Sequence, residues 1–134
     1  MEIEVRSRTT GADDDLPAVL VRLAHERTTA RDLIRRAVTE QIHELRADAA
    51  RCRHVLDRQY RSDEEVRARG AVRVPLFASA EPDPTVEVER AWRAFTRGTF
   101  AISTGGRRVT GLDEEVVLDL AEPVVFVRLA PPAG

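Results

Sequence analysis

The sequence predicts an α+β fold in which a mixed sheet packs on one long helix, with further helices inserted along the chain. Three observations carry this. Short segments near both ends alternate apolar and polar residues, the pattern of half-buried strands. Between them an apolar stripe recurs every three or four residues from Ile34 to Leu56, the spacing of a single helix face. Near the end, Gly105-Gly106 separates two strand-like segments and supplies the positive φ angles of a two-residue hairpin.

At the start, Ile3-Glu4-Val5-Arg6-Ser7 alternates, and the polar run from Thr10 to Asp15 follows as a turn or loop. Ala18 to Leu23 forms a second strand, with Val19, Val21 and Leu23 on one face, so the chain opens with a hairpin. A helix begins near Thr28 or Thr29, where Thr29 and Asp32 have the spacing of a capping box. Ile34, Val38, Ile42, Leu45, Ala49, Cys52 and Leu56 then line one face, and neither Gly nor Pro occurs between Ala18 and Arg69. Unbroken to Leu56, this helix is about 40 Å long, more than a small sheet covers. Its far end therefore packs on later helices or on another chain. Ala49, Cys52, Val55 and Leu56 are candidates for a homodimer contact, or for cover by Val66 and the helix carrying Val88 to Phe95.

Ser62-Asp63-Glu64-Glu65 is a second capping signature and Gly70 a stop, giving a short helix over 62–69. Ala71 to Leu76 is a short strand or an extended connection. Glu81-Pro82-Asp83-Pro84 is a loop, since each proline turns its predecessor away from helix. Thr85 caps a helix whose Val88, Ala91, Trp92 and Phe95 share a face and which ends at Gly98. Phe100 to Ser103 and Arg107 to Val109 flank the glycine hairpin, Leu112 to Glu115 is a tight turn, and Pro123 precedes a final strand from Val124 to Leu129. Pro131 and Pro132 lack ladder amides, so the chain leaves the sheet there.

At 134 residues with a net charge of −2, the chain fits one domain. All 21 basic residues are Arg, and the sequence contains neither Lys nor Asn. Codon usage in a GC-rich genome accounts for this; a lysine-free protein also offers no ε-amine for acylation, which suits a modifier that must not be joined to its own copies. The arginines are interleaved with Asp and Glu, without the one-signed patch that nucleic acid needs, so no nucleic-acid partner is expected. No apolar run approaches the ~20 residues of a membrane span, and MEIEVRSR has no apolar signal region. The lone Cys52 cannot form an internal disulfide. Together these predict a cytoplasmic protein without membrane association.

No residue pattern marks a catalytic, cofactor or metal site, and the chain is not expected to be an enzyme. His43, Cys52 and His54 lie along the predicted helix, but Cys52 and His54 are two residues apart and point to different sides. Cys52 falls on the apolar stripe as packing. Gly105-Gly106-Arg107-Arg108 lacks phosphate-loop spacing, and Asp13-Asp14-Asp15 lacks the alternation of a calcium loop. Trp92 and Phe95 read as core aromatics. Asp113-Glu114-Glu115 and Glu64-Glu65 have no partner suggesting acid–base work.

The order strand, strand, helix, strand, short strand, turn and final strand resembles the ubiquitin-like β-grasp. The likeness is carried by Phe100–Gly134, where a glycine hairpin ending in Val109 leads through Leu112-Asp113 to a strand closing in Val127-Arg128-Leu129. The end is also similar to the small sulfur-carrier proteins, with Val125-Phe126 and Pro131-Pro132-Ala133-Gly134 in the places of their apolar strand and terminal Gly-Gly. Ala133 stands where those carriers have the penultimate glycine. The resemblance implies one domain over 1–134, a helical insertion over about 46–97, and a tail over 130–134. It further implies a last strand at the sheet's centre, parallel to the first. By the same resemblance, Pro131, Pro132, Ala133 and Gly134 are the candidate conjugation tail. The chain would then act as a modifier or carrier through the Gly134 carboxylate, served by a separate adenylating enzyme. The alternative is a non-covalent interaction module of the same fold, docking a larger protein with an inert tail.

Overall fold

In the computed structural model of the chain, residues 1–9, 16–45, 49–60, 83–119 and 121–129 are described. The alternating segments form strands as expected: β1 (Glu2–Thr9) and β2 (Leu16–Arg22) make the opening hairpin. A short strand, β3 (Arg27–Thr29), leads into helix α1 (Ala30–Leu45). Thr29 caps the helix, its Oγ1 accepting from the Asp32 amide at 3.1 Å. Helix α2 (Ala49–Tyr60) follows, then α3 (Pro84–Arg97), β4 (Phe100–Thr104), β5 (Arg107–Val109), β6 (Glu115–Val117) and β7 (Val124–Arg128).

Five strands form one mixed sheet in the order β2-β1-β7-β4-β5, while β3 and β6 pair separately. β7 lies at the centre, parallel to β1 with Val5 opposite Val124 and Ser7 opposite Phe126, and antiparallel to β4. The last strand thus runs beside the first, as expected. Gly105 (φ 57°) and Gly106 (φ 75°) close the β4–β5 hairpin, both in the left-handed region that a two-residue primed turn requires.

Two readings of the helices change. The expected single long helix is two helices that fold back on each other. The Tyr60 hydroxyl donates to Gln41 Oε1 at 2.7 Å, whereas a straight helix would hold these residues about 28 Å apart. The apolar residues fall on one stripe in sequence because both helices use the same spacing to face the same core. α3 is capped by Asp83 and not Thr85: Asp83 Oδ1 accepts from the Thr85 amide at 2.9 Å, and Pro84 takes the first helical position, where its missing N–H costs nothing. Gly98 (φ 82°) ends this helix as expected.

β3 and β6 stand where the sequence predicts a helix start at Thr28 or Thr29 and a tight turn ending at Glu115. They pair antiparallel, Thr28 opposite Val116. This pairing closes the open end of α1, whose Ala30 and Arg31 amides donate to the carbonyls of Glu114 (3.3 Å) and Leu112 (2.8 Å). The short helix over 62–69, the segment 71–76 and the loop over 10–15 lie outside the described residues.

The helices cover one face of the sheet. Ile3, Val5, Val19, Val21, Ile102, Val124 and Phe126 point into the core against Leu33, Ile34, Ala37 and Val38 of α1. Phe100 sits at the centre of an aromatic cluster, with ring centroids 5.3 Å from Tyr60, 5.6 Å from Phe95 and 5.5 Å from Phe126. Cys52, Val55 and Leu56 of α2 are buried within the chain. The apolar stripe proposed for a homodimer contact is therefore already covered at these positions.

Candidate functional site

Strand pairing sorts the residues of the sheet's second face. Because side chains alternate along each strand, the register that turns Ser7, Phe126 and Ile102 inward turns their neighbours outward. Arg6, Val125, Ser103 and Arg108 fall in one cross-sheet row, and Arg8, Val127 and Ala101 in the next. The first row spans about 14 Å at the usual strand spacing. Leu20, opposite Glu4 on the same face, is 53% exposed. Val125 and Val127 are half-buried, while Arg6, Arg8 and Arg108 are exposed.

The charges on this face are unevenly matched. Arg6 Nε lies 2.9 Å from Glu4 Oε1, and Arg22 Nε lies 3.1 Å from Glu2 Oε1. Arg8 and Arg108 form no ion pair with another described residue. The outer face therefore offers half-buried valines in its middle, flanked by Arg8 and Arg108, which form no ion pair with a described carboxylate.

The other sequence candidates go to structural work or lie elsewhere. Trp92 is half-buried, its indole N–H donating to the Arg31 carbonyl at 2.9 Å while the Arg31 guanidinium stands 5.1 Å from the ring centre. Phe95 is core. Asp113 accepts from Arg31 Nε at 3.0 Å; this hydrogen bond raises the arginine and holds the Asp113 carboxyl below its ordinary range. Glu114 accepts from the Thr110 amide and Glu115 lies near Arg27. His43 is exposed and Cys52 buried, and among the described residues no group of three His, Cys, Asp or Glu is placed to hold a metal ion. No described helix is long and apolar enough to cross a membrane.

The candidate tail, Pro131, Pro132, Ala133 and Gly134, lies outside the described residues, as do Glu64, Glu65 and Asp13 to Asp15. The chain is described to Leu129, whose amide donates to the Thr99 carbonyl at 3.0 Å as β7 ends. Just before it, Arg128 Nη1 donates to the Asp57 carbonyl at 3.0 Å, setting a positive charge against the C-terminal end of α2, where it is favourable.

Sequence reading missed the outer face because β7 reads Val-Val-Phe-Val. With apolar residues on both sides there is no alternation to say which valines face out. Only pairing with Arg6 and Arg8 resolves it. No family model matches this chain, and neither a curated protein nor a solved structure does so.

Proposed function

We propose that the chain is a β-grasp protein that works as a docking module, presenting the outer face of its sheet to a protein partner with acidic and aliphatic residues. One observation carries the reading: the cross-sheet rows that leave Val125 and Val127 half-exposed between Arg8 and Arg108, neither of which forms an ion pair with another described residue. Aliphatic contact supplies burial, and guanidinium groups at the margin select carboxylates and reject cationic partners. The sheet order supports the fold, since a helix-backed mixed sheet with first and last strands parallel at its centre is what the β-grasp resemblance implies. The test compares proteins captured from the source cell by the unaltered chain and by Val127→Asp and Arg8→Glu/Arg108→Glu variants. Loss of the same partners in both variants is expected. Capture that survives both substitutions would reject the outer face as the site.

A carrier role through Gly134 is the second reading. It is favoured by the central position of β7 beside β1, the placement that the carrier resemblance implies for the strand preceding the tail. An activating enzyme would form an acyl-adenylate at the Gly134 carboxylate, and all bond-making groups would belong to that enzyme. Deleting Ala133 and Gly134 abolishes a carrier's function and leaves docking intact. Intact-mass measurement on protein from its own cell, showing a covalent adduct or a sulfur-for-oxygen change at the C-terminus, would place the carrier reading first.

A further inference from the structure

Buried polar side chains gather at one place in the core. Apart from Glu87 of α3, which lies near Arg90, the buried polar residues among those described are Ser7, Gln41, Asp57 and Gln59. They cluster where the last turn of α2 meets α1 and β7. Asp57 and Gln59 belong to that turn, and Gln41 accepts from Tyr60, its last residue. Ser7 stands opposite Phe126 in the register of β1 and β7. The Phe126 carbonyl accepts from Gln59 Nε2 at 3.4 Å, a long hydrogen bond. Two atoms of this seam, Gln41 Nε2 and Ser7 Oγ, have no hydrogen-bond partner among the described residues. A network left half satisfied in a low-dielectric core is costly, and contact with water would satisfy both atoms.

The apolar hold of α2 is small beside this. Its buried apolar side chains among those described are Cys52, Val55, Leu56 and the Tyr60 ring. α1 instead turns Leu33, Ile34, Ala37 and Val38 inward, with its first amides bonded to the Glu114 and Leu112 carbonyls. α3 is closed at both ends, by Asp83 and by Gly98.

We infer that α2 is a releasable cover, opening as a unit over the aromatic cluster while the sheet, α1 and α3 stay folded. Opening costs the burial of Cys52, Val55 and Leu56. Hydration of Gln41 Nε2, Ser7 Oγ and the Gln59 amide offsets part of that cost, so the opening lies below global unfolding in free energy. It bares the sides of Phe100 and Phe126 against which Tyr60 stands, at centroid distances of 5.3 and 6.5 Å. It also breaks the bond from Arg128 to the Asp57 carbonyl. Arg128 is the last residue of β7, so the state of α2 is felt where the chain leaves the sheet.

Cys52 reports the opening, being buried on α2 and the only cysteine in the sequence. Thiol labelling of the full chain over a urea series is compared with global stability from urea denaturation. Cys52 is expected to react roughly tenfold or more faster than global unfolding allows, with little dependence on urea below the transition, as a local opening does. Val38→Cys in a Cys52→Ala background places the thiol on α1 and should react only through global unfolding. Ser7→Ala removes one stranded hydroxyl and should slow Cys52 labelling severalfold. Labelling of Cys52 that matches the Val38→Cys protein and rises with the full urea slope overturns the inference. A rate unchanged by Ser7→Ala rejects the polar seam as the cause of release. Should the Val38→Cys protein fail to fold, hydrogen exchange of the unaltered chain makes the same comparison. Peptides from α2 should then exchange ahead of those from α1 and α3, and equal protection of all three overturns the inference.

Discussion

The Tyr60 hydroxyl donates to Gln41 Oε1 across 2.7 Å, joining the last residue of α2 to the latter half of α1 inside the core. Both side chains are buried, and among the described residues the Gln41 amide nitrogen has no hydrogen-bond partner. Burial pushes the Tyr60 hydroxyl far above its ordinary pKa, with the Gln41 bond opposing, so Tyr60 acts here as a neutral donor. This contact ties the end of α2 to α1, beside the burial of Cys52 and Leu56 in the same core as Val38 and Ile42.

Tyr60→Phe keeps the ring contacts with Phe100 and Phe126 but strands Gln41 Oε1 in the core. It should cost about 1–3 kcal/mol, the usual penalty for a buried polar group left unsatisfied. Adding Gln41→Met removes the stranded group, and urea denaturation should show the double variant recovering most of the loss. Additive destabilisation would mean that the two side chains act independently.

Gly98 and Gly105 separate backbone strain from contact. Both have positive φ, but a Cβ on Gly98 meets nothing within 4 Å, whereas one on Gly105 would lie 2.9 Å from Glu122 Oε2. Gly98→Ala should lose about 1–2 kcal/mol from the left-handed backbone alone. Gly105→Ala should lose the same or slightly more, and Glu122→Ala in that background should return only the excess, because Glu122 offers the end of a flexible side chain. Thermal melts of the variants measure the difference.

Acid should weaken the fold through Asp32. Burial alone would raise its carboxyl, but hydrogen bonds from Arg36 and Arg35 outweigh this and hold it below the ordinary range. A carboxyl with a depressed folded pKa stabilises above its unfolded value, near 4, and that contribution is lost as pH falls through the folded one. Asp32→Asn should therefore be less stable than the unaltered chain at pH 7, with the gap closing below pH 4. A gap independent of pH would assign the effect to capping geometry.

On the outer face, Arg8→Glu and Arg108→Glu should leave urea stability within about 0.5 kcal/mol, as exposed substitutions usually do, while removing the proposed partner. Val127→Asp should weaken binding with an unchanged circular dichroism spectrum. If partner loss occurs only in variants that also unfold, the face has no separate binding role.

Much of the sheet is legible along the chain because its signals are local. The Ile3-to-Ser7 alternation, the Gly105-Gly106 turn and the Thr29 cap each work through residues a few positions apart. Helix reversal was less visible. Cys52 and Leu56 continue the spacing of Val38 and Ile42, and spacing cannot distinguish one long face from two short faces turned to the same core. The outer face was hidden for a related reason, since Val125 and Val127 flank Phe126 without a polar residue between them.

The sequence by itself determined the α+β class, the opening hairpin, the glycine turn and the start of α1, because capping, turn chemistry and side-chain period act over a few residues. Tertiary structure alone decided that α2 returns to Gln41, that β3 finds β6, and which valines of β7 face outward. These contacts join residues far apart along the chain. Each depends on how the helices and sheet settle against a shared core, which no local preference encodes.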